Sequence, residues 1–178
     1  MAISHYENLP FEIPRNWAWT SFKEIFDITM GQSPFGADIN HEYGIEFHQG
    51  KMFFGDSILN HSQIFTKKAS KVASANSLIM CVRAPVGDVN MVDREICIGR
   101  GLCTLKPIGN ISVKFMFFWL SYFKTTFENK ATGSTFSAIS GEIIRTQHLP
   151  LPPMEEQKRI LCRIMQIYDF LDRIIIDL

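Results

Sequence analysis

The rhythm of apolar and polar positions changes several times along the chain. In IPRNWAWTSFKEIF, Trp17 and Trp19 alternate with Asn16 and Ala18, the period-two spacing of a short half-buried strand. Ser21 followed by Glu24 forms a capping box. The helix it opens carries Phe22, Ile25 and Phe26 and is expected to stop near Gly31. GQSPFGADINHEYGIEFHQG is polar and rich in turn residues, and predicts a long loop running into a strand near IEFHQG. A loop of that length in a compact domain is usually functional or disordered. SLIMCVRAPVGDVNMV and ICIGRGLCTLKPI predict buried strands separated by turns, with Arg83 and Arg100 at strand ends. SVKFMFFWLSYFKTTFE predicts the longest helix of the body, with Phe115, Phe118, Trp119, Tyr122 and Phe123 in one apolar stripe. Such a stripe reads as core and not as a platform for stacking bases. ATGSTFSAISGEIIRTQHLPLPP then gives a small-residue loop, a helical turn and a short strand.

From Pro153 the pattern becomes a single helix. Proline suits a first helical position, and Glu155 and Glu156 in the first turn complement the helix dipole. Ile160, Ile164, Ile167, Leu171, Ile174 and Leu178 follow at spacings of four and three, which is an a/d seam. Leu161, Met165, Tyr168 and Ile175 widen it. The helix either folds back on its own domain or meets a partner helix. The length of the seam favours the partner, because a small domain cannot cover it all.

Composition narrows the class. With 46% apolar residues in 178, the chain can bury a core. Its formal net charge of zero does not announce a strongly basic nucleic-acid binder. The four cysteines, Cys81, Cys97, Cys103 and Cys162, form no CxxC pair and are expected to be buried free thiols in a reducing, cytoplasmic setting. No metal or cofactor is expected. The start MAISHYENLP does not have the form of a signal peptide. The most apolar run, FMFFWL, falls well short of the ~20 residues needed to cross a bilayer.

Catalytic signatures are missing: no P-loop, GxSxG elbow, HExxH or deaminase pattern. GRG at Gly99–Gly101 lacks the third glycine of a dinucleotide fingerprint. The histidines are scattered. Asp88, Asp93 and Glu95 read as solvated turn residues. The remaining chemistry is that of a recognition surface: Gln49 and Lys51, then Lys67, Lys68 and Lys71 in TKKASK, then Arg83, Arg100, Ser134 and Thr135. Cations suit phosphates, while Gln, Arg and Lys also read base edges. The competing reading is a solvated lysine face, with Arg83 and Arg100 paired internally to carboxylates such as Asp88 and Glu95.

The order of IPRNWAWTSFKEIF, GQSP, FHQGK, CVRAPVGDVN, CIGRGL, GSTFSAI and LPLPPMEEQKRI resembles that in specificity subunits of type I restriction-modification enzymes. The resemblance spans about Leu9 to Ile160 and continues into the helix. It implies an α+β fold. Residues 1–152 would be a target recognition domain with a twisted mixed or antiparallel sheet and short helices, and residues 153–178 one long coiled-coil helix. It also implies a non-catalytic subunit that reads one half of a bipartite site in double-stranded DNA. Its implied partners are DNA methyltransferase (modification) subunits, restriction subunits and a second recognition half met through the helix, in a homodimer. Family members usually carry two recognition domains, and this chain holds one. Two alternatives stay open: the recognition part of a fused restriction or methylation enzyme, and a helical dimerisation protein that does not bind DNA.

Overall fold

The computed structural model describes residues 11–133 and 137–176, with backbone alone at 175 and 176. The chain forms eleven strands, five α-helices and two short 3-10 helices among these residues. β1 (Ala18–Ser21) leads into α1 (Phe22–Ile25), and the expected capping box is present, with the Glu24 carboxylate accepting from the Ser21 amide at 2.7 Å. The expected run of this helix to Gly31 is wrong. After one turn the chain becomes β2 (Phe26–Met30), because each of its residues pairs with β10 (Leu102–Pro107). Long-range pairing overrides the local helix signal.

Strands β2, β10, β7 (Ser77–Cys81) and β8 (Val89–Val92) form an antiparallel sheet in that order. A second sheet runs β3 (Ile39–Asn40), β5 (Phe65–Thr66), β4 (Ile45–His48), β9 (Ile96–Ile98), β6 (Val72–Ala73), and its β4–β9 pair is parallel. β1 and β11 (His148–Leu151) make a third, two-stranded sheet. The class is α+β as expected, with the strands divided over three sheets.

β7 and β10 form the wall between two cores, which explains their unbroken apolar runs. Leu78, Met80, Cys103 and Leu105 face a cluster with Phe22, Phe115, Met116, Leu120 and Phe127. Ile79, Cys81 and Leu102 face the other way, onto Ile96, Ile98, Ala73 and Leu59. The alternation within β7 is the ordinary strand period, with both faces buried. Cys81, Cys97 and Cys103 are buried free thiols, but Cys162 is exposed, on a surface of the last helix. Burial pushes the Cys81 and Cys103 thiols up to about 12.

The long aromatic helix breaks at Phe123 into α2 (Val113–Tyr122) and α3 (Lys124–Lys130). Four of the five residues in the expected stripe pack into the first core, Phe115 and Phe123 buried and Phe118 and Trp119 partly so. Phe115, Met116, Phe117 and Leu120 are buried, whereas Tyr122 is 80% exposed. The stripe left out Met116, Phe117 and Leu120, because apolar residues run nearly all round this helix. α4 (Gly141–Thr146) is capped by the Ser140 hydroxyl and leads to β11.

α5 (Met154–Ile176) follows Pro152 and Pro153, and its 23 residues span about 35 Å. Gln157 ties its start to the body, donating from Nε2 to the Pro152 carbonyl at 2.9 Å. Ile160 packs against the first core, and the Tyr168 ring lies 5.7 Å from that of Phe118 on α2. Further along, Ile167, Leu171 and Ile174 are 51%, 48% and 43% exposed. The expected seam therefore starts on the domain and continues into open solvent. Leu178 lies outside the described residues.

Candidate nucleic-acid interface

The strands of both large sheets end at one rim. At the end of β2, Met30 faces Cys103, and at the end of β7, Cys81 faces Leu102. β8 begins there, with Val89 opposite Met80. The parallel pair β4 and β9 finish side by side, His48 against Ile98.

The turn Gly99–Gly101 stitches these ends together through backbone bonds. The Gly99 amide donates to the His48 carbonyl at 2.7 Å, and the Val82 amide to the Gly101 carbonyl at 2.9 Å. The amides of Gly31 and Gln32 donate to the carbonyls of Leu102 and Ile98. The approach is so close that a Cβ on Gly101 would meet the Gln49 carbonyl oxygen at 2.2 Å, and one on Gly31 would meet that of Gly99 at 2.1 Å. Gly31 of GQSP and Gly101 of GRG are thus required by sterics, since backbone can come this near only where no side chain intervenes.

Gln49, Lys51, Arg83 and Arg100 are brought together on this rim, and all are exposed. Ser33 joins two of them, its hydroxyl 3.5 Å from Gln49 Oε1 and accepting from the Arg100 amide at 3.3 Å. Lys71 borders the same place, because its carbonyl accepts from the Ile98 amide. Lys51 pairs with Asp88 at 2.9 Å, and Lys124 reaches the other oxygen of that carboxylate at 2.5 Å. Burial would raise the Asp88 carboxyl, but the two lysines outweigh it and hold it below its ordinary value. Gly87, at φ +87°, packs on the backbone of Lys124 and brings Asp88 to it. The competing reading, in which Arg83 and Arg100 pair internally with carboxylates such as Asp88 and Glu95, is not met: among the described residues neither arginine makes an ion pair, and Asp88 is taken by lysines.

Two other members of the expected set stand apart. Lys67 and Lys68 follow Thr66, which faces Ile45 at the opposite end of β4, roughly 13 Å from Gln49 at the rise of a strand. Lys67 lies over the Tyr43 ring at 4.7 Å, and Lys68 is 3.7 Å from Asp38. Ser134 and Thr135 lie outside the described residues. The residues flanking them join the rim, since Ala138 bridges Arg83 and the Ala84 amide donates to the Ser137 carbonyl.

Sequence reasoning missed the ionic cluster behind this surface. Glu46, buried on β4, receives the Arg94 guanidinium at 2.8 and 2.9 Å, the His48 ring at 3.0 Å and the His61 ring at 3.2 Å. Arg94 also donates to the carbonyls of Leu59 and Asn60. Burial alone would raise the Glu46 carboxyl; the guanidinium, the Ser62 amide and the two rings bring it down to about 2. Burial lowers the His48 pKa, opposed by Glu46. These partners are 35 and 48 residues from Arg94, and no spacing rule reaches that far. Among the described residues no group of three or more His, Cys, Asp or Glu is placed to hold a metal ion.

The rim offers amide and guanidinium groups on closely packed backbone. Residues 14–176 match the sequence model of the family described as type I restriction modification DNA specificity domain. The chain belongs to this family. The specificity domain is 39% identical over 165 residues to the putative type I restriction enzyme MjaX specificity subunit of Methanocaldococcus jannaschii. The match covers 90% of this chain and 39% of that protein. Among solved structures it resembles the HsdS subunit from Thermoanaerobacter tengcongensis, with a TM-score of 0.81 and 33% identity over 92% of this chain and 40% of that one. A chain in a structure concerned with assembly and conformational transition of the type I R-M system gives a TM-score of 0.84 and 34% identity, covering 95% of this chain and 42% of that one. The specificity domain thus spans about two fifths of the length of these relatives. No helix among its described residues is long and apolar enough to cross a membrane.

Proposed function

We propose that this specificity domain reads one half of a bipartite target in double-stranded DNA, as a non-catalytic component of a cytoplasmic type I restriction-modification complex. Residues up to 152 form the recognition unit. α5, from residue 153 onward, pairs with the helix of a second recognition half and helps dock the modification and restriction subunits. The observation that carries the reading is the rim where Gln49, Lys51, Arg83 and Arg100 meet at the strand ends. A polar amide flanked by guanidiniums and an ammonium suits base edges between two phosphate rows. The three buried thiols fit a reducing compartment.

The test uses the chain assembled with its modification subunits and a duplex bearing the site found by methylation mapping of the host genome. The complex should bind this duplex in preference to a scrambled one. Alanine at Lys51, Lys67, Lys68 and Arg100 together should weaken binding and lower its salt dependence. If affinity and salt slope both stay unchanged, the rim is not the DNA face.

A further inference from the structure

Two apolar side chains on the rim stand in water. Phe35 is 84% and Met52 83% exposed. Isolated exposed apolar residues are ordinary on any protein surface, but these two are held out by their neighbours. In GQSPFG, Pro34 is buried and the Phe35 carbonyl accepts from the Asp38 amide at 2.9 Å. In KMFF, a single 3-10 turn covers Lys51–Phe53 and turns Met52 outward. Phe53 and Phe54 pack inward on the second core, and the Phe53 ring stands edge-on to His48 at 5.6 Å. The amides of Phe54 and Asn60 close this turn, each at 2.9 Å. The two tips also belong together, for the loops that carry them touch where Ser33 meets Gln49.

What covers these side chains must also accept the cations beside them. Arg83, Arg100 and Lys71 make no ion pair among the described residues, and Met52 directly follows Lys51. An apolar protein surface would strand those charges. A DNA duplex presents phosphates to the cations and, between the phosphate rows, apolar base surface to the tips.

We propose that Phe35 and Met52 are specificity residues that press on the apolar surface of base pairs, within the frame set by Gln49 and Arg100. The surface they meet is either the C5-methyl of thymine in the major groove or the face of an opened base step. The inference rests on the rim being the DNA face. It adds that part of the reading is done by carbon, without charge.

The experiment compares the assembled complex with its Phe35→Ala, Met52→Ala, Phe35→Leu and Met52→Leu forms on cognate and scrambled duplexes. Each alanine form should lose roughly tenfold in cognate affinity. Its salt slope and its affinity for the scrambled duplex should stay unchanged, and leucine should restore most of the loss at Met52. Replacing thymines by uracils one at a time identifies a methyl contact as a position where only the unmutated complex loses affinity. A 2-aminopurine placed in the site identifies an opened step by a fluorescence rise that the alanine forms lack. If both alanine forms bind like the unmutated complex, the inference is overturned while the DNA reading stands. It is equally overturned if they shed the modification subunits in sedimentation, since the tips then face protein. If the unmutated complex does not distinguish the two duplexes, the DNA reading itself fails.

Discussion

At the scale of single residues, Arg94 holds more of the structure together than its position in a short turn suggests. It neutralises a carboxylate whose side chain is only 9% exposed, and it binds two carbonyls of the segment that crosses over it. Arg94→Ala leaves Glu46 buried with two imidazoles as its remaining side-chain partners. Breaking a buried pair in this way costs about 3–5 kcal/mol, to be read as a shift of the urea unfolding midpoint. The same cluster sets a pH dependence. Glu46 is depressed from 4.5 to about 2, so in this interval the unfolded chain binds the proton and the folded one does not. Its contribution, on the order of 3 kcal/mol, is fully present above 4.5 and is lost as pH falls through 2. His48 is lowered too, so below its ordinary value of 6.5 it also favours the unfolded chain. Both effects make stability fall on acidification. Glu46→Gln should flatten the dependence between pH 4.5 and 2 in unfolding measurements, and an unchanged slope would contradict the assignment. None of this was legible in the sequence, where Glu46, His61 and Arg94 have no periodic relation.

At the scale of elements, the sequence marked beginnings better than endings. Ser21 and Glu24 announced α1 because a capping box is local chemistry. Its end was missed because Phe26–Met30 turns to strand for the sake of β10, far along the chain. β7 and β10 were recognisable as buried because both faces carry apolar residues, whereas the inward side of α2 was marked only in part, since Met116, Phe117 and Leu120 lie outside the expected stripe. α5 was legible from its heptads, and its two halves should respond differently to charge. Ile164→Asp with Leu171→Asp should abolish self-association in sedimentation and leave the body folded, since Leu171 is already half exposed. Ile160→Asp should instead destabilise the body, because that side chain packs on the first core. A chain that is monomeric without any substitution over a wide concentration range would refute pairing through α5.

On the scale of the whole molecule, the candidate site was legible as residue types and not as a place. The sequence marked Gln49, Lys51, Arg83 and Arg100 one by one, and only sheet topology puts their strand ends on a common rim. It also grouped Lys67 and Lys68 with Lys71, though β5 and β6 carry them to different parts of the surface. The salt dependence of binding should separate these groups. Each lysine or arginine that meets a phosphate lowers the logarithmic salt slope by about 0.9 when removed. The pair Lys51→Ala and Arg100→Ala should therefore flatten it, and Lys67→Ala with Lys68→Ala should do so only if the duplex extends past the far end of β4. Titration of the complex against both duplexes at several salt concentrations measures each slope. One further consequence follows from β1 lying hydrogen-bonded alongside β11, Ala18 opposite Leu151. The body is entered and left at a single doorway, next to the root of α5. Exchange of everything between those two strands needs only two cuts in neighbouring backbone, and the replacement must keep the face on which Ile160 and Tyr168 of α5 pack. Under the proposed function, a single recombination event spanning β1 to β11 then exchanges the target read and keeps α5.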